Sequence, residues 1–154
     1  MAADHPRFTP KDPDFEARGR SGFTRQPLMA TLGAEIALVE AGYVEIVMPF
    51  APHILQQHGF VHAGAISAIV DTACGFAAMT LMPKGAGVLT TEFKINLMSP
   101  AKGERFIATG RVVRPGNTLM VTLGECFIDA GGTRKLIAMM TASMMVMNTP
   151  GIVD

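Results

Sequence analysis

Residues 61–82 read VHAGAISAIVDTACGFAAMTLM. The stretch holds no Lys, Arg, Glu or Pro, and Asp71 is its only full charge. Such a segment predicts a helix that is apolar nearly all round and must be buried. The turn-forming residues Pro83 to Gly87 (PKGAG) end it. A carboxylate in the middle of a buried helix is costly unless something pairs with it. Asp71 is therefore a candidate either for a structural pair or for chemistry.

The flanking sequence predicts strands. Ala34 to Phe50 reads as two strands joined at Ala41-Gly42, with Val44, Ile46 and Met48 on one face. Four more candidates follow the helix: Val88–Met98, Glu104–Arg114, Thr118–Asp129 and Thr133–Asn148. They are expected to run as an antiparallel meander. In the first, Leu89, Phe93, Ile95 and Leu97 alternate with Thr90, Glu92, Lys94 and Asn96, which implies one buried face and puts Thr90 on the polar side. In the last, Leu136, Ala138, Met140, Ala142, Met144 and Val146 form an apolar face. Residues 1–26 read as a loosely ordered, flexible arm, with three prolines and no hydrophobic period. Pro27 to Gly33 reads as a short helix. The expected architecture is α+β: a curved antiparallel sheet wrapped around one long buried helix, in a single domain over residues 27–150. The sheet cannot enclose such a helix alone, so a second subunit is the expected cover.

Composition narrows the function. The 154 residues carry 13 basic and 13 acidic side chains, with no basic stripe for nucleic acid. Charged residues make up 17% and apolar ones 49%, a balance that implies buried subunit interfaces. Cys74 and Cys126 lie in apolar segments and read as free buried thiols of a reducing compartment. No signal peptide is legible at the N-terminus. The 61–82 stretch is long enough to cross a membrane, but its small residues and central Asp71 argue against that.

The residues before the helix complete a candidate site. Gly59 to Gly64 reads GFVHAG, with Gln56 three residues ahead. A helix starting near His62 would present the backbone N–H groups of His62, Ala63 and Gly64, with partial positive charge, to an anion or a polarised carbonyl. Asp71 lies nine residues beyond His62, which is about 13.5 Å along a helix and about 180° around it. Asp71 therefore cannot share a pocket with its own helix start. It can share one with the helix start of a second copy packed antiparallel across a twofold axis. His58 and His62 have i,i+4 spacing, but Gly59 and the loop argue against a metal site.

The pattern Q-x-x-G-x-x-H-x-G, followed by Asp71, Ala73 and then TTEFKINLMSPA at residues 90–101, resembles the PaaI-like branch of the hotdog-fold acyl-CoA thioesterases. The resemblance spans roughly residues 30–147. It implies a hotdog fold and hydrolysis of an acyl-CoA thioester to acid and CoA, without a cofactor or metal. It also implies a cytoplasmic homotetramer built as a dimer of dimers. By the resemblance, Asp71 matches the catalytic carboxylate, as nucleophile or general base. Gln56 matches the amide that orients water or substrate, and His62 the motif histidine. Gly59 and Gly64 match the motif glycines, the Ala63 N–H matches the oxyanion donor, and Thr90 matches a hydroxyl lining the site. Gln56 stands where the family has Asn, and Ala63 where it has Gly. Two other uses of such a frame are a non-catalytic acyl-CoA sensing module, which normally needs an attached regulatory domain, and an enoyl-CoA hydratase.

Overall fold

The computed structural model describes residues 7–153. After helices α1 (Phe15–Thr24) and α2 (Pro27–Thr31) come strands β1 (Glu35–Glu40) and β2 (Tyr43–Pro49). A single 3-10 turn at Pro52–Ile54 leads to α3 (Ala63–Met79), then β3 (Gly87–Leu97), β4 (Arg105–Arg114), β5 (Leu119–Ala130) and β6 (Thr133–Met147). The six strands form one antiparallel sheet in the order β1-β2-β4-β5-β6-β3. The fold is the expected α+β hotdog, with α3 lying along the sheet.

The meander over all four late strands needs correction. Only β4, β5 and β6 run as one. β3 crosses to the far edge and pairs with β6, while β4 inserts beside β2. β5 and β6 lie between β3 and β4 in the sheet, so the Pro100–Gly103 turn does not close a hairpin.

Close approach of helix to sheet rests on a pair of glycines. Gly110 and Gly124 face each other across β4 and β5. A Cβ on Gly110 would lie 2.3 Å from the Ala73 carbonyl carbon, and one on Gly124 would lie 2.4 Å from Val70 Cγ1. Without side chains there, the backbone of α3 settles directly on the sheet. Ile66, Ile69, Val70, Ala73, Cys74 and Met79 of the helix are fully buried among Ile46, Met48, Phe106, Met140 and Met144 of the strands.

The helix is not buried all round within one chain. Gly64 is exposed, and Ser67, Ala68, Asp71 and Thr72 are only half-buried. The expected buried face of β3 is also open. Leu89, Phe93 and Leu97 are 46%, 45% and 51% exposed, because β3 is an edge strand with a neighbour on one side only. A bulge between Thr90 and Glu92 further breaks the period-two reading. It leaves Thr90 opposite the buried Met144 and Phe93 opposite the buried Ala142. Thr90 thus faces α3 rather than the polar side. A second irregularity in β6 buries Ile137 in place of the expected Leu136, which is 36% exposed.

The flexible arm expected over residues 1–26 is corrected as well, for residues 7–26; residues 1–6 of that expectation lie outside the described residues. Here α1 docks on α3 through Gly19, Gly22 and Phe23, which are buried. A Cβ on Gly22 would come within 3.0 Å of the Phe76 ring. Arg18 clamps the contact: its guanidinium donates to the carbonyls of Met79 (2.9 Å), Met82 (3.0 Å) and Pro83 (2.8 Å). These are carbonyls at and beyond the C-terminus of α3, where partial negative charge collects. Asp12 balances the arginine at 3.2 Å, with both side chains nearly excluded from solvent.

Candidate active site

Asp71 sits at the midpoint of α3, and burial pushes its carboxyl above the usual range. One neutral group opposes that shift: Thr90 Oγ1 donates to Asp71 Oδ1 at 2.8 Å. The bulge in β3 is what turns the hydroxyl toward the helix. Among the described residues no basic side chain forms an ion pair with Asp71. The carboxylate opens onto a small cavity of about 120 Å³ shared with Gln26, Thr72, Phe76 and Thr90.

The helix start lies elsewhere. His62 is the N-cap of α3, and its ring Nδ1 accepts from the Gly64 N–H at 2.8 Å. The His62 N–H donates to the Ile54 carbonyl at 2.9 Å. Of the backbone groups expected as donors, two are thus occupied. The Ala63 N–H alone has no acceptor among the described residues. Gln56 lies in the loop held by the Leu55–Val61 bridge, and its side-chain carbonyl accepts from the His58 N–H. Gly59 turns this loop with φ +81°, a conformation that favours glycine. Gln56, His62 and Ala63 line a cavity of about 510 Å³, closed on its other side by Leu97, Met98 and Ile137. Asp71 and Thr90 do not line it. Within one chain the structure therefore joins Thr90 to Asp71 and Gln56 to His62 and Ala63, but keeps the two sets apart.

Other candidates fall outside both cavities. His53 Nε2 lies 2.9 Å from the Thr31 carbonyl and tethers the loop to α2. Lys94 bonds to Asn96 on its own strand. Cys74 and Cys126 are free and buried, with thiols pushed up to about 12 by loss of solvent. No group of three His, Cys, Asp or Glu side chains among the described residues could hold a metal. No helix among them is long and apolar enough to cross a membrane.

With this geometry in place, comparison with known proteins is decisive for the family. Residues 58–135, from the helix-start loop to the beginning of β6, match the model of the thioesterase superfamily. The chain belongs to the thioesterase superfamily. A thioesterase family protein from Silicibacter pomeroyi has a crystal structure that superposes with a TM-score of 0.84 at 47% identity, over 86% of this chain and 98% of that one. The PaaI protein of the Escherichia coli phenylacetic acid degradation operon shares the fold, with a TM-score of 0.79 at 18% identity over 87% and 94% of the two chains. YigI of Escherichia coli K12, named a medium/long-chain acyl-CoA thioesterase, is 24% identical over 135 residues, covering 78% of this chain and 85% of its own. The PaaI-like hotdog expected from the motifs is the fold found, and thioester hydrolysis is the chemistry of the superfamily.

Sequence reasoning missed Gln26 beside Asp71 and the inward turn of Thr90. The first had a legible signal: Phe15, Gly19, Gly22 and Phe23 stand at helical spacing. With three prolines and no apolar period in the arm, a contact face made partly of glycines went unread. The second had none, because a bulge is set by pairing with β6 and not by the residues of β3 alone.

Proposed function

We propose that this thioesterase hydrolyses acyl-CoA at composite sites, each built from the Asp71 half of one copy and the helix start of another. The observation that carries the reading is the separation of the two sets within one chain, in two cavities that share no residue. The stripe of exposed Gly64 and half-buried Ala68, Asp71 and Thr72 lies on one face of α3 and suits close, antiparallel contact with a second α3. Apolar side chains left exposed on the β3 edge would be covered in the same assembly. The acyl-CoA class is supported by the likeness to YigI.

In such a site the unpartnered Ala63 N–H and the positive end of α3 polarise the thioester carbonyl. Gln56 offers its amide to the same oxygen or to the attacking water. Asp71 either attacks the carbonyl carbon or takes the proton of a water that does. In the first case the carbon–sulfur bond breaks to leave an acyl–Asp71 anhydride, which a water hydrolyses to the acid while its released proton neutralises the thiolate. In the second the carbon–sulfur bond of the water adduct breaks and the proton held by Asp71 passes to the departing thiolate. Thr90 aims the carboxylate, and the His62 ring fixes the helix start by holding the Gly64 N–H.

The test is release of free thiol from a panel of acyl-CoAs, with NMR on an enoyl-CoA to catch addition of water to the double bond. Thiol release abolished by Asp71→Asn supports the reading. Binding without turnover, or hydration in place of thiol release, would assign the site to one of the other uses of this frame.

A further inference from the structure

The cavity beside Asp71 has a neighbour. Gln26, the N-cap residue of α2, lines the 120 Å³ cavity of the carboxylate and also a second cavity of about 400 Å³. The second lies between the N-terminal helices and β1, where Phe23, Met29, Ala30, Ala34 and Ile36 give it an apolar wall. Phe76 borders the first cavity and Phe23 the second, and their rings meet edge to face with centroids 6.1 Å apart. One amide and one aromatic pair thus form the partition between a carboxylate and an apolar groove of a size typical for small-molecule sites.

We infer that α1 and α2 form the pocket for the acyl chain, and that Gln26 is the partition residue setting how long a chain passes from Asp71 into it. This rests on the proposed hydrolysis at Asp71. An aliphatic chain is the occupant that fits, because it must start at the reacting carbonyl beside Asp71 and continue into apolar surroundings. Met29 is buried and flexible, which suits a wall that adapts to chains of several lengths. The groove keeps its shape because Arg18 and Asp12 anchor α1 to the end of α3. Residues outside the 58–135 family match therefore set the substrate range.

The experiment compares butanoyl-CoA and decanoyl-CoA in the wild type, Ala30→Phe and Gln26→Ala, using kcat/KM from thiol release. Ala30 is exposed on the rim of the groove, so a larger side chain there projects into it without disturbing the core. Ala30→Leu serves if the Phe variant melts early. The decanoyl-to-butanoyl ratio should fall about tenfold or more on filling the groove, the scale on which hydrophobic pockets sort chain length. It should rise about threefold or more in Gln26→Ala. Ratios within about twofold of the wild type in both variants overturn the inference while leaving hydrolysis at Asp71 standing. If the wild type releases no thiol, the proposed function fails on its own. The dissociation constants of non-hydrolysable decanoyl and butanoyl thioether analogues, measured by calorimetry on the same proteins, then decide the pocket by the same ratio.

Discussion

Asp71 and Glu45 are both part-buried carboxylates in this small domain, and their surroundings differ in kind. Burial pushes Glu45 upward too, but the Arg134 guanidinium and the Tyr43 hydroxyl outweigh it and hold the carboxyl below its ordinary range. Arg134 donates to both of its oxygens at 3.0 and 3.1 Å, and Tyr43 to one at 2.6 Å. Glu45 in turn drives the Tyr43 phenol upward, after burial itself. Asp71 has one neutral donor and stays raised. A carboxylate with its bonds filled by a cation and a phenol ties β2 to β6. One held by a single hydroxyl at a cavity keeps oxygens available for chemistry.

Exchanging each carboxylate for its amide should separate the two roles. Asp71→Asn is expected to cut kcat by about two orders of magnitude or more, the range of a lost acid–base group, while remaining folded. Glu45→Gln should leave thiol release near the wild-type rate. Equal activity in the Asp71 variant, or a comparable loss in the Glu45 variant, would erase the contrast. Gln56→Ala comes next, with an expected fall in kcat of about ten- to a hundredfold and a smaller change in KM, the pattern of a donor used mainly in the transition state. Gln56→Asn, the family-typical amide, should stay within about threefold of wild type, since a small loop shift can absorb one methylene. Unchanged hydrolysis by the Ala variant across several acyl-CoAs would make Gln56 a bystander.

The smaller effects are on stability and its pH dependence, and they have opposite signs. Because the folded state depresses Glu45, its contribution is present above the ordinary carboxylate range and fades as pH falls through the lowered folded value. Glu45→Gln should therefore cost about 1 kcal/mol near neutrality, discounted because Arg134 is partly in water, and almost nothing in strong acid. Asp71 is raised, so its ionised form costs stability that appears as pH climbs through the folded value. Asp71→Asn should melt slightly higher than wild type near neutrality, and the gain should shrink toward acid. Paired denaturation curves across pH read both; a gain for Asp71→Asn that grows toward acid would contradict the assignment of burial as the cause.

Much of this was legible in the chain. The charge-free 61–82 stretch, the alternating strands and the Gln56–Gly64 loop declare the fold, because helix and strand periods are local properties. So was the estrangement of Asp71 from His62, which follows from the helical repeat. What escaped depends on partners distant in sequence. The crossing of β3 to the β6 edge, the bulge that turns Thr90 inward and the Gly110–Gly124 seat for α3 are set by pairing and contact. Nothing local to residues 1–26 singles out Arg18. Only the folded chain brings it to the carbonyls at the end of α3. The Ala63 N–H was one of several candidate donors until the His62 ring and the Ile54 carbonyl took the others.

The composite site is tested most directly by mixing subunits. Asp71→Asn and Gln56→Ala proteins are dissociated together, reassembled and assayed for thiol release. If each site takes Asp71 from one copy and Gln56 from another, random pairing makes half the dimers mixed, each with one intact site, and activity should recover to roughly a quarter of wild type. Activity that stays at the average of the two parent variants, with mixed dimers demonstrated by mass spectrometry, would contradict a site shared between subunits.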